Sequence, residues 1–185
     1  MRAAYDGEMV AAVRLALPRE ASQIAAIQRR SWGEDLPREA AEQALAEVDL
    51  DAAAASWEAA IIRPPLAQQR VLAAVEDNRV TGFAAIGPSD DPDAEAGVDA
   101  LVVEFVVDPP ARRRGHGSRL LTAVADTLRA DGFGRATWWV LPSDDALRRF
   151  LDTAGWAPDG SHRVVGTESG ARLKLVRMHT DISPT

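Results

Sequence analysis

Short apolar runs alternate with longer amphipathic stretches along the chain, and this alternation predicts a layered fold of strands and helices. The strand-like runs are rich in β-branched and aromatic residues and end at turn-forming residues. They fall at 9–17, twice within 68–87, at 99–108, at 135–141 and twice within 157–182. Within 68–87 the pair Asp77-Asn78 favours a tight hairpin turn, and the last two runs should meet in a turn near 167–170.

Apolar residues at helical spacing fill most of the chain between these strands. They predict a helix at 18–32, one or two helices at 36–65, a helix after residue 115 that stops at Gly132, and a short helix at 142–156. Residues 88–97 form an acidic, solvated loop. No repeat or Pro/Gly/Ser-rich linker interrupts the pattern, so residues 1–185 are interpreted as one α/β (α+β) domain with a mixed sheet.

The charge balance opposes nucleic-acid binding. The net charge is −7, from 21 Lys+Arg and 28 Asp+Glu, and an acidic chain repels a phosphate backbone at long range. The absence of cysteine excludes disulfides, thiolate metal sites and a cysteine nucleophile, and suits the cytoplasm. The first residues have no signal-peptide pattern and no apolar run is long enough for a membrane span. We expect no nucleic-acid, membrane or metal partner.

One segment, residues 102–121, places three arginines and two glycines between a strand and a helix. The dinucleotide fingerprint does not fit, because Leu120 stands where its third glycine or alanine belongs, and no lysine follows the glycines as in a P-loop. What remains is a glycine turn at a helix start, where successive N–H groups point into one concavity. With arginines at its rim, this turn suits a pyrophosphate.

The spacing Arg112-x-x-Gly115-x-Gly117 after "VVEFVVDP", followed by "ATWWVLPSDDALRRFLDTAGW", resembles the GNAT superfamily of acetyl-CoA-dependent N-acyltransferases. The resemblance implies a three-layer fold whose central sheet of about seven strands is mixed, mostly antiparallel and flanked by helices. It also implies acetyl-CoA (coenzyme A) as cofactor. The match is close from about residue 70 to 165.

The resemblance implies that the backbone of residues 112–118 holds the pyrophosphate and that the end of the preceding strand pairs with the pantetheine arm. Asp145, more closely than Asp144, stands where the family often has a cofactor-binding asparagine. The implied cofactor contacts are Val106, Val107, Arg112, Arg113, Arg114, Gly115, His116, Gly117, Ser118, Asp145 and Phe150. The side chain of His116 should face away from the pyrophosphate, because it lies between the two glycines.

Glu104 is the candidate catalytic base, because it interrupts an apolar strand where burial should raise its carboxyl pKa. Strand alternation predicts that it shares a face with Val102 and Val106. Its position also resembles that of a glutamate with which some GNAT enzymes deprotonate the amine. An arginine-paired or solvent-facing glutamate is the alternative. The N–H of Val106 is the candidate donor to the thioester carbonyl.

The sequence departs from the family at the residue after Phe150. GNAT enzymes commonly have a tyrosine there as the acid, whereas this chain has Leu151, and its single tyrosine is Tyr5. Two hypotheses follow. The protein is an N-acetyltransferase in which the thiolate leaves unassisted or is served by Ser143, His162 or water, or it is a weakened or non-enzymatic acyl-CoA-binding or regulatory protein.

The resemblance implies that the acceptor site lies between the first helices and the last hairpin. Trp32, Glu34 and Asp35 are candidates to stack on and attract a cationic amine, and His162 lies in that hairpin. Core packing of Trp32 and solvation of the acids are the alternatives. The expected acceptor is a primary amine of a small molecule or peptide, attacking directly in a ternary complex. Dimers are common in the family, so a homodimer is a further expectation.

Overall fold

The computed structural model describes residues 11–166 and 170–184; Tyr5 and most of the predicted 167–170 turn lie outside them. The strands are β1 (Ala11–Leu15), β2 (Arg70–Glu76), β3 (Arg79–Pro88), β4 (Asp99–Val107), β5 (Arg135–Val140), β6 (Ala157–Gly166) and β7 (Arg172–Asp181). Within the described residues they form one sheet in the order β1-β2-β3-β4-β5-β7-β6. Only β4 and β5 pair in parallel, so the predicted mixed, mostly antiparallel sheet is confirmed.

The described residues contain five α-helices. They are α1 (Ala21–Asp35), α2 (Arg38–Glu47), α3 (Leu50–Ile62), α4 (His116–Ala130) and α5 (Asp145–Thr153). The stretch 36–65 is two helices because Val48 is extended and Asp49 caps α3, accepting a hydrogen bond of 2.9 Å from the Ala52 N–H. None of the helices in this part of the chain is long and apolar enough to cross a bilayer.

The sheet separates two helical layers and two cores. On one face α4 buries Leu120, Val124 and Leu128 completely against the sheet, and α5 adds Leu151. On the other face Ile24 and other residues of α1 pack with the central strands, and Trp57 of α3 lies beside them. The β2–β3 hairpin turns at Asp77-Asn78 with positive φ at both residues, as predicted for a tight hairpin.

An irregularity in β4 changes which residues share a face. Glu104 pairs with Ala85 and Val102 pairs with Ile86, so Val103 has no partner in the β3 register and forms a bulge. One extra residue inverts the alternation, and Val102 packs on the α4 side whereas Val106 packs on the α1 side. The prediction that Glu104 shares a face with both valines is therefore wrong for Val102.

The acidic loop between β3 and β4 is not uniformly solvated, which corrects a second prediction. Asp91 is buried and accepts hydrogen bonds of 3.0 Å from the Trp139 indole N–H. The buried Arg177 guanidinium of β7 contacts Asp91 at 3.3 Å and Asp93 and Asp159 at 2.6 Å each. These contacts tie the loop to the C-terminal hairpin.

Candidate functional site

A cleft opens where β4 and β5 separate. Their parallel ladder joins residues 99–102 to residues 135–138, and no pairing between them continues beyond it in the described part of the chain. The cleft has a volume of about 590 Å³. Its walls are the end of β4 (residues 105–107), the segment 112–118 at the start of α4, which we call the arginine-glycine loop, and one side of α5.

The arginine-glycine loop is shaped to receive an anion. Arg113 and Gly115 both have left-handed backbone, with φ of 64° and 81°. The first helical hydrogen bond of α4 runs from the Arg119 N–H to the Gly115 carbonyl at 3.2 Å. The N–H groups of residues 116–118 therefore have no acceptor within the helix and face the helix N-terminus. Such N–H groups, with the helix dipole, bind phosphates.

Two of the three arginines in this loop already form ion pairs. The Arg112 guanidinium donates to both carboxylate oxygens of Asp35 at 2.8 and 2.6 Å and to the Val107 carbonyl at 3.1 Å. It thus links the end of α1 to the end of β4. Arg114 forms an ion pair of 2.7 Å with Glu76 of β2. The Arg112 N–H itself donates to the Pro109 carbonyl at 3.3 Å, so its side chain and backbone brace the loop.

The charge available to a ligand comes from two other arginines. Arg113 lines the cleft and has no ion-pair partner among residues 11–166 and 170–184, and the same holds for Arg149 of α5. Phe150 also lines the cleft. At the start of α5, Asp144 lines the cleft and caps the helix, because its carboxylate accepts a hydrogen bond of 2.9 Å from the Leu147 N–H. The predicted Asp145 is exposed and does not line it.

The side chain of His116 points away from the cleft, as its place between the glycines predicts. The imidazole is 2% exposed. Its Nδ1 atom lies 3.2 Å from Thr81 Oγ1 and 3.2 Å from a guanidinium nitrogen of Arg119. Only the backbone N–H of His116 can therefore reach a ligand in the loop.

Glu104 is held by a glutamine that the sequence did not single out. The Gln28 side-chain amide of α1 donates to both carboxylate oxygens of Glu104, at 2.7 and 2.8 Å. The side-chain oxygen of Gln28 accepts a hydrogen bond of 2.9 Å from the indole N–H of Trp57, which packs edge-on against Phe83. Burial raises the pKa of Glu104 to about 7, against the lowering effect of the Gln28 hydrogen bond. This carboxyl is half ionised near neutral pH.

The β3–β4 register decides which strand N–H can face the cleft. The Asp108 N–H donates to the Thr81 carbonyl at 2.9 Å, so the pair two residues along, Phe83 and Val106, is also hydrogen-bonded. The N–H of Val106 therefore points to β3, which corrects its assignment as donor to the thioester. The N–H of Val107 points the other way, into the gap left by β5.

The remaining predicted residues are not gathered around the cleft. Leu151 is completely buried in the α4-side core and does not line it. Trp32 is half-buried on α1, Glu34 is exposed at the end of that helix, and His162 is exposed on β6. No hydrogen bond or ion pair among the described residues joins Trp32, Glu34 or His162 to Glu104. Residues 11–166 and 170–184 contain no cluster of His, Cys, Asp or Glu that could hold a metal ion.

A weak sequence signal existed for Gln28, which was missed. It precedes the predicted Trp32 and Asp35 at spacings of four and then three, so the three residues share one face of α1. A polar face on a helix that covers a sheet end indicates a site there. Nothing in the sequence distinguishes Arg149 from its neighbour Arg148, because the two differ only in the side of α5 they occupy.

Comparisons with known proteins agree with this geometry. The model of the acetyltransferase (GNAT) family matches residues 34–156. An N-acetyltransferase of Staphylococcus aureus has a TM-score of 0.72 at 19% identity, covering 94% of this chain and 99% of its own. YncA of Salmonella typhimurium, solved with its cofactor acetyl-CoA, has a TM-score of 0.71 at 22% identity, covering 95% and 96%.

The PaiA N-acetyltransferase of Thermoplasma acidophilum, solved in complex with coenzyme A, has a TM-score of 0.67 at 15% identity. The alignment covers 94% of this chain and 99% of that one. At these identities the structures show a common fold. No curated protein matches the sequence significantly.

Proposed function

The chain belongs to the acetyltransferase (GNAT) family, and on that premise we propose that it transfers the acetyl group of acetyl-CoA to a primary amine of a small molecule or peptide. The amine attacks directly, in a ternary complex. One observation carries the proposal: the Glu104 carboxyl, whose pKa burial raises to about 7, directly precedes residues 105–107 of β4, which border the cleft at the start of α4.

The residues present fit acetyl-CoA. The unpaired N–H groups at the α4 start and the Arg113 guanidinium would hold the diphosphate, and Arg149 would add positive charge on the opposite wall. Phe105 and Phe150, with ring centres 6.4 Å apart, form an apolar part of the wall. When bound, acetyl-CoA supplies an acetyl thioester. Neighbours with the same fold were solved with acetyl-CoA and coenzyme A.

Glu104 takes the proton of the attacking amine. An alkylammonium has a pKa of about 10, so the amine must lose a proton before it attacks. A base whose pKa is close to the working pH serves this step best, and burial brings the pKa of Glu104 to about 7. Gln28 fixes the direction of the carboxylate through two hydrogen bonds, and Trp57 fixes Gln28.

The Val107 N–H supplies a fixed dipole to the gap between β4 and β5. A backbone donor already held in place costs no reorganisation when charge develops on an oxygen beside it. The Val107 carbonyl is occupied by Arg112, which in turn is held by Asp35. This arrangement keeps the strand end rigid where the acetyl group would lie.

Binding is tested with a side chain that fills the cleft. A Cβ at Gly117 would lie 3.5 Å from Val107 and 3.7 Å from Phe150, both ordinary contacts, so Gly117→Leu extends into the cleft without displacing backbone. The matched control is Gly33→Leu, since a Cβ there meets nothing within 4 Å. In calorimetry, acetyl-CoA should bind the wild type and the control but not Gly117→Leu. Equal binding by all three would place the ligand elsewhere.

Turnover is tested by release of free coenzyme A thiol with a panel of primary amines. We expect amine-dependent release that falls by about 100-fold or more in Glu104→Gln, because a positioned base contributes factors of that size. Glu58→Gln, an exposed carboxylate of α3, is the control. Saturable acetyl-CoA binding without release for any amine would favour the alternative, an acyl-CoA-binding protein.

A further inference from the structure

His116 contains a buried polar atom that the proposed reaction does not use. The imidazole Nε2 has no hydrogen-bond partner, and the nearest carboxylate oxygen, from Glu76, is 3.8 Å away. Buried polar side-chain atoms are nearly always paired, so an unpaired ring nitrogen at the first residue of α4 requires a reason.

The neighbours of the other ring nitrogen fix the tautomer. Nδ1 lies 3.2 Å from Arg119 Nη2, and a guanidinium can only donate. The Thr81 hydroxyl lies 3.2 Å from both Nδ1 and the Ala74 carbonyl and can donate to either, so it is compatible with an accepting Nδ1. Nδ1 is therefore an acceptor, and the single proton of the neutral ring is on Nε2.

The same Arg119 nitrogen also holds the arginine-glycine loop. Arg119 Nη2 donates to the Arg114 carbonyl at 3.2 Å. The guanidinium lies directly behind Gly115, where a Cβ would come within 2.9 Å of its Nη1 atom. The two N–H groups of Arg119 Nη2 therefore have two acceptors, the Arg114 carbonyl and His116 Nδ1.

We propose that His116 is a positioning residue for cofactor binding: in its neutral form it holds Arg119 against the Arg114 carbonyl, which keeps the loop in the shape that receives the diphosphate. This inference rests on the proposed function only in taking acetyl-CoA as the ligand. The side chain of His116 itself does not touch the ligand.

Protonation would break this arrangement. A proton on Nδ1 would face the N–H of Arg119, so the two cations would repel and Arg119 would leave the Arg114 carbonyl. The charged groups around the ring are Glu76 of β2, Arg114 of the loop and Arg119 of α4, whereas β3 contributes the uncharged Thr81. Burial lowers the pKa of His116. The positive charges of Arg119 and Arg114 lower it further, whereas the negative charge of Glu76 raises it. The ring is therefore neutral at physiological pH and charges on acidification.

The test is the pH dependence of acetyl-CoA binding, measured by calorimetry with two variants between about pH 5 and 8, a range that extends well below the ordinary imidazole pKa of about 6.5 because the pKa of His116 is lowered. His116→Asn keeps an acceptor near the Nδ1 position but cannot titrate, and His116→Leu keeps the bulk without the acceptor. At pH near 8 we expect His116→Leu to bind about tenfold more weakly and His116→Asn within about threefold of the wild type, the size of one hydrogen bond. On acidification the wild type should lose affinity relative to His116→Asn.

A ligand fragment separates positioning from a general loss of structure. Acetyl-pantetheine lacks the diphosphate, so its affinity should be the same in all three proteins. Should His116→Leu not fold, the wild-type and His116→Asn profiles decide. Parallel pH profiles for these two, or unchanged affinity in a folded His116→Leu, would overturn the inference and leave the proposed function intact. No acetyl-CoA binding by the wild type would overturn both.

Discussion

Replacing Glu104 with glutamine removes a carboxylate that is partly desolvated when the chain folds. In the unfolded chain this carboxyl should have an ordinary pKa of about 4.3, whereas burial raises it to about 7 in the folded protein. Between these values the native state binds more protons than the unfolded state, so the free energy of unfolding falls as pH rises. The penalty is complete above the folded pKa and absent below the unfolded one.

The size of the effect follows from the two pKa values. At 1.36 kcal/mol for each pKa unit, the ionised carboxylate costs about 4 kcal/mol of stability above about pH 8. Glutamine has the shape of the protonated acid and can still hydrogen-bond with Gln28. We therefore expect Glu104→Gln to match the wild type near pH 4.5 and to exceed it by about 4 kcal/mol near pH 8.

Urea unfolding at several pH values measures this difference without an acceptor substrate. Glu58→Gln is the control, because Glu58 is exposed on α3 and its substitution should give a small, pH-independent change. A stability gain in Glu104→Gln that is the same at acid and alkaline pH would refute a raised pKa. The role of Glu104 as base would then lose its physical support.

Three further predictions concern other contacts. Gln28→Leu removes both hydrogen bonds to Glu104, which lower its pKa, so the acid limb of the kcat/KM profile should move to higher pH by about one unit; a limb that stays in place would argue against Gln28 as its partner. Arg177→Met removes the buried guanidinium from Asp91 and leaves it the more distant Arg163 at 3.6 Å, so it should cost about 3 kcal/mol near neutral pH by chemical denaturation. Arg177 holds the pKa of Asp93 down to about 2, so the ion pair no longer stabilises the fold once the carboxyls are protonated, and the cost should be smaller at low pH. A loss of stability that does not depend on pH would contradict this account. Gly115→Ala should destabilise the fold by about 1 kcal/mol or more and weaken acetyl-CoA binding, because its φ is 81° and the new Cβ would meet Arg119; unchanged thermal unfolding and binding would show that the loop tolerates another backbone.

Local patterns predicted the elements because each depends on residues close in sequence. Apolar spacing placed α4 and α5, Asp77-Asn78 placed the β2–β3 turn, and the Arg112-to-Gly117 spacing indicated the phosphate loop. The contacts that were missed join residues far apart. Gln28 meets Glu104 across 76 positions and Arg177 meets Asp91 across 86. No periodicity within one element encodes which charged residues meet across the sheet.

The bulge at Val103 explains why Glu104 shares a face with Val106, as predicted, but not with Val102. Strand alternation is reliable only while the register is unbroken, and one inserted residue exchanges the two faces. In β4 this exchange has a use. Before the bulge Val102 contributes to the α4-side core, and after it Glu104 faces Gln28 of α1 while Phe105 lines the cleft.

The bulge coincides with the end of pairing to β5. The β4–β5 ladder stops at Val102, one residue before the bulge, so the strand changes face and loses its neighbour at the same point. Residues 104–107 pair with β3 along one edge, and along the other edge no strand pairs with them in the described part of the chain, so the Val107 N–H is directed into the gap. A single inserted residue therefore sets the face of Glu104 at the point where the cleft opens. Deleting Val103 should remove the bulge and leave Val102 and Glu104 on their present faces. If the bulge separates β4 from β5, the β4–β5 ladder should then extend past Val102 and abolish acetyl-CoA binding; retained binding in calorimetry would show that the separation of the strands does not depend on the bulge.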